Sequence, residues 1–525
     1  MLYVSKYDTI KDRYGVTDTD DNVTQFISKE KLLDIVNRLG VVIRGVSGDT
    51  ITVVSMKNNT DQQSLMRHWV TKAKTLGIMS DFVFSHNYTK LIEYRGSSVE
   101  IVIPPVKVIG KDCFSRISNA LQSFAGSEDT VGRLKQFGVG NEGPRYKFTM
   151  PETVEVIEEQ AFANVCASCN SVFNTKNVKV LGNGAFRNFD VDGELFLSFP
   201  NVEVMGEAVF SRFGCYNKDT GLDDIQANFE QPHTGITGLL FGNKVSRIPD
   251  FCCDGLTSLE TVQFGNIIEY IGISAFSCTS LRNIVLPDSL LCIRHMAFSK
   301  CCYHSHSNYG IALVIPERVS EIQQGAFAQC ECISILTINA KQCQIDVDAF
   351  RSCDNLMSVV AGGGTLVLGN DVFLDCTNLE VVGCQSRLES VGRGIFEGCT
   401  SLRLAEFSGG AYRYSDSMFL GCSALTAVSM QEGLIEIEDN CFMSCRNLKA
   451  ISIPSSVTRI GARAFIDCLA LLDVTIPATV TDIGDGAFSI GAASGASRKT
   501  QYTITYMGEN FGEDCASGRV IFAAD

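Results

Sequence analysis

The chain has 525 residues and a formal net charge of −15, from 44 Lys and Arg against 59 Asp and Glu. It therefore lacks an overall basic field to attract phosphate backbones or anionic lipids, and neither nucleic acid nor a membrane surface is an expected partner. The sequence has no run of 18 or more apolar residues, and Lys6, Asp8 and Lys11 interrupt the region where a secretory signal would lie. We expect a soluble protein that is made without Sec-type export and does not insert into membranes.

Residues 1–88 predict a small α/β domain that docks the chain to other components. A helix is expected over residues 28–39, because Ser28 can cap it. Val41–Ile43 and Ile51–Val54 are short β-branched runs that predict strands. Residues 61–76 predict a second helix.

Phenylalanine recurs every 23 residues through the second half of the chain. The positions are Phe327, Phe350, Phe373, Phe396, Phe419, Phe442, Phe465 and Phe488. A fixed period between 20 and 50 residues predicts supersecondary coils that bury their apolar faces only by stacking on one another. The function of such a repeat array should lie on its surface.

The coil from Leu471 to Phe488 shows the role of each repeat position. Alternation at Val474 and Ile476 predicts a short strand with one buried face. Pro477 ends that strand because it cannot donate a ladder hydrogen bond. Gly484 follows an isoleucine in a second short turn, where glycine permits a backbone conformation that a Cβ would oppose.

Earlier coils are less regular, and the ends of the chain depart from the repeat. The earlier coils begin at Phe114, Phe162, Phe186, Phe210, Phe251, Phe276 and Phe298. Their longer intervals predict polar surface insertions at residues 115–148 and 214–235. Within residues 491–525, two strands at Tyr502–Tyr506 and Arg519–Phe522 are expected to form a C-terminal β cap over the last coil.

The repeat resembles the BspA-like leucine-rich repeat, whose units read approximately LxxVxIPxxVxxIGxxAFxxC. The resemblance covers about residues 89–490 and is specific, because six or more positions recur in register. It implies a right-handed solenoid with a concave parallel β-sheet, preceded here by the small α/β domain. For many members it implies adhesion to host or matrix proteins at a cell surface, and it implies no catalytic residues.

Eight of the 22 cysteines share one repeat position, three residues after the phenylalanine. We call them the cysteine ladder: Cys301, Cys330, Cys353, Cys376, Cys399, Cys422, Cys445 and Cys468. Free cysteine behaves as a compact hydrophobe, so the ladder is expected to be buried. Strand spacing alone does not exclude disulfides between coils. The missing secretory signal favours free thiols.

Few residues are candidates for chemistry. Cys301, Cys302, His304 and His306 could in principle bind zinc, but Cys301 belongs to the ladder, so a polar loop without metal is the prediction. The Cys166-Ala167-Ser168-Cys169 motif has no second CxxC and is interpreted as a packed or lightly displaced core pair. None of the six histidines has a nucleophile setting, so we expect no cofactor and no enzymatic activity.

The positions eight and ten residues after each phenylalanine should point outward from the predicted sheet. The candidate partner-binding residues there are Ile335, Thr337, Ser358, Val360, Val381, Leu404 and Glu406. So few charges on an acidic protein indicate an interaction surface. The alternative is that family strands are simply uncharged and partly covered by the chain's own loops. Tyr412, Arg413 and Tyr414 could add aromatic and cationic contacts at the rim of the surface.

The resulting functional hypothesis is a non-catalytic recognition or adhesion protein that binds a protein or glycan. It would belong to a larger assembly or a homo-oligomer. An α/β domain followed by a stiff solenoid suits a structural component of a bacteriophage virion assembled in the cytoplasm. The alternatives are a secreted bacterial cell-surface adhesin and an intracellular protein-interaction scaffold.

Overall fold

A computed structural model describes residues 60–115, 117, 145–212, 235–302, 310–471 and 473–488, together with five strands near the N-terminus and two near the C-terminus. Most of both predicted insertions lies outside the described residues. So do His304, His306 and the predicted strand at 519–522. The described chain falls into two compact units, residues 1–245 with 251–259 and residues 246–250 with 260–525. The predicted domain boundaries at 88 and 490 stay predictions.

The N-terminal region of the first unit contains a five-stranded antiparallel sheet and a helix. In chain order its strands are Tyr3–Asp8, Arg13–Thr17, Val23–Ser28, Val41–Ser47 and Thr50–Ser55, paired in the order third, second, first, fifth, fourth. The last two strands and the helix Thr60–Leu76 confirm the sequence predictions. The first three strands were not predicted. A helix was expected over residues 28–39. Of these, Ser28 ends the third strand, and the others lie outside the described residues.

The helix leads directly into the first coil. Trp69 on the helix packs edge-on against Phe82 at 5.2 Å and against Phe84 at 5.7 Å between ring centroids. Strand Phe82–Phe84, which follows the 3₁₀ turn Met79–Asp81, pairs antiparallel with Lys90–Tyr94. Lys90–Tyr94 then pairs in parallel with Val108–Ile109, so the repeated pairing begins where the sequence resemblance begins.

Parallel pairing between successive coils builds the rest of the first unit. One sheet continues from Val108–Ile109 through Val156–Ile157, Val180–Leu181 and Val204–Met205. A second contains Glu100–Val102, Lys147–Met150 and Val172–Phe173. Two further parallel pairs are Cys166–Ala167 with Asp190–Val191 and Glu194–Phe199 with Gly235–Phe241.

In the second unit each of the six coils between Phe298 and Phe442 contributes one strand to each of two sets of parallel strands. The first sheet consists of Ile311–Ile315, Ile333–Ile338, Ser358–Ala361, Val381–Cys384, Leu404–Phe407 and Ala427–Val428. The second set consists of Arg247–Ile248, Tyr270–Ile271, Cys292–Ile293, Glu321–Ile322, Gln342–Ile345, Thr365–Leu368 and Arg387–Val391, then Arg413–Tyr414, Glu436–Ile437, Arg459–Ile460 and Asp482–Ile483. A further short strand, Thr261–Gln263, lies between Arg247–Ile248 and Tyr270–Ile271 in the chain. The repeats of each unit therefore form a parallel β-solenoid, with about 13 turns in total among the described residues.

The last described strands extend this arrangement. Asp473–Ile476 ends immediately before Pro477, as predicted, and pairs in parallel with Thr503–Tyr506. Thr503–Tyr506 then pairs antiparallel with Glu509–Phe511. The change from parallel to antiparallel pairing adds a terminal hairpin to the last coil.

At the Ile-Gly step, Ile460-Gly461 and Ile483-Gly484, the isoleucine ends a short strand where a turn was predicted, and the reason for the glycine also differs. A Cβ on Gly461 would lie 2.4 Å from the backbone nitrogen of Asp439, and one on Gly484 would lie 2.2 Å from that of Ala462. Glycine is therefore required because backbones of successive coils approach closely here, and not because of a special φ angle.

Stacked phenylalanines form the core of the second unit. From Phe276 to Phe488 the rings of successive coils lie 5.0–5.5 Å apart, with interplanar angles of 15° or less. All eight ladder cysteines beside the stack are buried free thiols, as predicted. From Cys353 to Cys468, each ladder thiol donates to the carbonyl oxygen of the phenylalanine in the preceding coil at 3.1–3.2 Å. These bonds give each buried thiol an acceptor in the core.

Candidate binding surface

The outward positions of the first sheet form two rows of side chains. Parallel register places one residue of each strand beside its counterpart in the next, roughly 4.8 Å away. The first row is Ala312, Ile335, Ser358, Val381, Leu404 and Ala427. The second row is Val314, Thr337, Val360, Gly383 and Glu406. We refer to both together as the outward rows.

Burial alternates along these strands as a period of two requires. Leu336, Val359 and Val382 face inward and are 4% exposed or less. Their outward neighbours Ile335 and Val360 are 41% and 42% exposed. This alternation places an apolar strip on the surface while the same strands complete the core.

The candidate residues differ in exposure. Val381 and Glu406 are exposed, whereas Thr337, Ser358 and Leu404 are half-buried. Glu406 is the single charged member of the outward rows, and it lies on the strand Leu404–Phe407 near their end. The centre of the surface is therefore uncharged.

Two exposed apolar residues of this region were missed by counting from the phenylalanines. Val314 is 43% exposed and lies beside Thr337 in the second row. Its coil spans 29 residues from Phe298 to Phe327, so a fixed count from the phenylalanine does not reach it. The Ile315-Pro316 pair, which marks the strand end, would have found it. Met357 is 47% exposed and directly precedes the strand Ser358–Ala361.

Charge is concentrated on the other set of strands. Arg413 pairs with Glu438 at 3.0 Å, and Arg459 pairs with Asp482 at 3.0 Å and also with Glu436. These partly exposed ion pairs link successive coils and contribute little stability each. The side chains beneath the outward rows lie in an apolar environment instead. Burial there raises the pKa of the inward Cys384 thiol to about 11, so this thiol stays uncharged at neutral pH. The two strand sets thus present chemically different faces.

Tyr412 and Arg413 lie with the second set of strands rather than at the edge of the outward rows. Tyr412 is 65% exposed, and Arg413 begins the strand Arg413–Tyr414. A shallow hollow of about 220 Å³ is lined by Leu388, Glu389, Ser390, Val391, Tyr412 and Arg413. The structure therefore separates this aromatic and cationic patch from the apolar rows that the sequence grouped with it.

Tyr414 cannot contact a partner, contrary to the sequence prediction. It is 1% exposed, and its ring packs between Phe407 and Phe419 at 5.7 and 6.0 Å. Its hydroxyl donates to the carbonyl oxygen of Ser429 at 2.7 Å, and burial raises its pKa. The alternation of the strand turns Tyr414 inward beside its exposed neighbour Arg413.

The CxxC motif differs from its interpretation as a packed or lightly displaced core pair, because one of its cysteines is at the surface. Cys169 is exposed and Cys166 is only half-buried. The Cys169 backbone N–H donates to the Asp192 carboxylate at 2.6 Å, and a side-chain hydrogen bond with Asp192 raises the pKa of the Cys169 thiol. A raised pKa disfavours the thiolate that redox chemistry requires.

None of the described helices is long and apolar enough to cross a bilayer.

Comparison with known proteins identifies the repeat. A family model described as the BspA type leucine rich repeat region (6 copies) matches residues 89–217, 226–357, 311–422 and 366–494, more than half of the chain. Comparison with curated proteins gives no match.

Several solved structures are similar. One is a leucine-rich repeat protein from Bacteroides ovatus, with 18% identity over 78% of this chain and 90% of that chain and a TM-score of 0.43. Another is a leucine rich cell surface protein from Faecalibacterium prausnitzii, with 18% identity over 84% of this chain and 96% of that chain and a TM-score of 0.32. A third is the pneumococcal vaccine antigen PcpA, with 12% identity over 71% of this chain and 88% of that chain and a TM-score of 0.30. On the extent of the family match, this chain belongs to the BspA-type leucine-rich repeat family.

Proposed function

We propose that this protein is a non-catalytic recognition or adhesion protein that binds a protein or glycan through the outward rows. The observation that carries the proposal is the uncharged, exposed strip containing Val314, Ile335, Val360 and Val381 on neighbouring paired strands. Contiguous exposed apolar surface is characteristic of interaction sites.

The stiffness of the surface supports the same proposal. The outward side chains from Ile335 to Glu406 lie on strands that are hydrogen-bonded to a neighbour on each side, and their inward neighbours are packed in the core. A surface held in this way loses little conformational entropy on binding. An apolar partner surface, such as a protein segment or the apolar face of a sugar ring, matches its chemistry.

Binding should depend on the uncharged character of the strip. Val360→Asp and Val381→Asp each place a carboxylate where a partner would have to desolvate it, so we expect affinity to fall by about tenfold or more. The measurement is capture of protein partners and a glycan array with the full chain, followed by titration of the ligand found. Ile267→Asp is the matched control, because Ile267 is 39% exposed but lies outside the strands of the first sheet.

A ligand that binds both row variants and the control with equal affinity would exclude the outward rows as its site. Circular dichroism of each variant separates lost binding from lost folding. Substitutions at exposed positions are expected to change the free energy of unfolding by about 0.5 kcal/mol or less.

The setting in which the protein acts is a separate part of the proposal. The N-terminal α/β region preceding the repeats supports docking into a larger assembly, with the bacteriophage virion as the first setting and the cell surface as the alternative. Fractionation with an antibody against the chain distinguishes them. Recovery in purified particles supports a virion component, recovery in the envelope an adhesin, and recovery only in the cytosol a scaffold.

A further inference from the structure

Four cysteines from two successive coils meet in the core of the second unit. Cys301 and Cys302 follow Phe298, and Cys330 and Cys332 follow Phe327. All four are 5% exposed or less. The sulfur atoms of Cys301, Cys330 and Cys332 lie within 4.8 Å of one another, and those of Cys330 and Cys332 are 3.4 Å apart. The four residues form what we call the cysteine cluster.

The two ladder members of this cluster differ from the later ladder residues in their contacts. From Cys353 onward the thiol donates to a phenylalanine carbonyl in the preceding coil. The Cys330 thiol faces the Cys332 thiol, and the Cys301 thiol lies 3.5 Å from the Thr279 hydroxyl. The regular ladder packing therefore changes at this one pair of coils.

The two additional cysteines also break the repeat. The position five residues after the phenylalanine is Cys332 in this coil but Asn355 and Asn378 in the next two, and both asparagines are exposed. Cys332 is instead 4% exposed, and so is turned toward the core. Cys302 is 5% exposed, with a φ of 61° in the left-handed region that non-glycine residues seldom adopt. Ordinary core packing does not require thiols at these positions.

We propose that Cys301, Cys302, Cys330 and Cys332 form a binding site for a soft divalent metal ion of the zinc class. Thiolates are the ligands that such ions select, and four of them complete a tetrahedral site. Zn–S bonds of about 2.3 Å place tetrahedral sulfur atoms roughly 3.8 Å apart, close to the spacing of the Cys301, Cys330 and Cys332 sulfur atoms. The Cys302 sulfur is not one of the three that lie within 4.8 Å of one another, and its side chain would turn from the Leu281 carbonyl oxygen toward them to supply the fourth ligand.

Binding at this site is a ligand exchange without oxidation or reduction. The metal ion replaces the four thiol protons, which are released to solvent, and four metal–sulfur bonds form. Cys302 gives up its present hydrogen bond to the carbonyl oxygen of Leu281, at 3.0 Å. Affinity must therefore fall on acidification, because protons compete for the thiolates.

The place of the cluster suggests what the metal would do. The interval from Phe298 to Phe327 is 29 residues, the longest among the later coils, which otherwise have 23. An ion held by both coils would join them beside this extension. Since a metal ion that binds only the folded state stabilises it, the thermal midpoint should rise with zinc concentration.

The test uses the full chain purified from zinc-supplemented cells. We expect about one zinc per chain by elemental mass spectrometry, retained against a weak chelator at neutral pH and released by acid. Cobalt substitution should give thiolate-to-metal charge-transfer absorption and the visible bands of a tetrahedral sulfur site. Cys332→Ser and Cys302→Ser should each weaken metal affinity by about tenfold or more and abolish the zinc-dependent rise in thermal midpoint. Cys376→Ser, a buried ladder thiol outside the cluster, should leave both unchanged.

Several results would overturn the proposal. They are a chain without stoichiometric zinc, zinc that is bound equally by the Cys332→Ser and Cys302→Ser variants, and an adventitious ion only, removed by a weak chelator. Intact-mass analysis showing a stable disulfide between Cys330 and Cys332 would also exclude the site. Circular dichroism identifies a misfolded variant, and the cobalt spectrum of the unaltered chain tests the ligand set without any substitution.

Discussion

Individual residues in this solenoid are assigned to the core or to the surface by strand alternation, even where their chemistry is similar. Tyr412 and Tyr414 are two residues apart, yet the first is 65% exposed and the second is 1% exposed. Both tyrosines were predicted to contact a partner from their residue type and their place at the rim of the predicted surface. Position relative to the strand Arg413–Tyr414 decides their roles, and the hydroxyl of Tyr414 is used to satisfy a carbonyl in the core.

The same substitution at these two tyrosines should therefore have different effects. Tyr414→Phe leaves the Ser429 carbonyl without its 2.7 Å donor, and we expect a loss of about 1–3 kcal/mol in the free energy of unfolding. Tyr412→Phe removes an exposed hydroxyl, with an expected effect of about 0.5 kcal/mol or less. Urea denaturation of the two variants measures the difference. Equal destabilisation would contradict the inward placement of Tyr414.

Among the elements, those with a strong sequence period were predictable and those without one were not. The buried and exposed sides of Ile333–Ile338 and Ser358–Ala361 follow from apolar alternation and a fixed repeat. The strand Tyr3–Asp8 mixes charged and apolar residues, and two-residue strands such as Arg459–Ile460 are too short to show a period. The hydrogen bonds that define such strands come from neighbouring coils, which a local pattern does not contain.

The residues of the two candidate sites also divide into those that the sequence could predict and those that it could not. Val360 and Val381 could be predicted because their register follows from the 23-residue period. Cys301 and Cys332 are 31 positions apart, and only the stacking of two coils of unequal length brings their thiols together. Sequence proximity instead grouped Cys301 with histidines outside the described residues.

The close approach of successive coils at the Ile-Gly step gives a prediction at the element scale. Gly461→Ala places a methyl group 2.4 Å from the Asp439 backbone nitrogen, so the two coils must separate locally. We expect a loss of about 1–3 kcal/mol in the free energy of unfolding. Gly383→Ala is the control, because its Cβ would meet no atom within 4 Å. Urea denaturation should rank the two variants in this order. If Gly461→Ala were as stable as the unaltered chain, close backbone approach would not explain this glycine.

At the scale of the whole molecule, stability should be distributed along the chain rather than concentrated in one centre. Each coil contacts chiefly its neighbours, as the chain of phenylalanine contacts shows within each unit. In repeat proteins the free energy of unfolding is approximately a sum of unit and neighbour terms. The two compact units should consequently respond separately to a local defect.

This separation can be tested with one core substitution in each unit. Phe186 and Phe373 are both buried and stack on phenylalanines on either side, at 5.1 and 5.5 Å for Phe186 and at 5.4 and 5.5 Å for Phe373. Replacing either by alanine should cost about 3–5 kcal/mol through lost burial and the cavity left behind. Hydrogen exchange measured by mass spectrometry should show faster exchange in neighbouring coils of the altered unit and unchanged exchange in the other unit. Equal loss of protection in both units would mean that the chain unfolds as one cooperative body. A defect in one phenylalanine stack would then raise the exchange rates of coils that do not contact it.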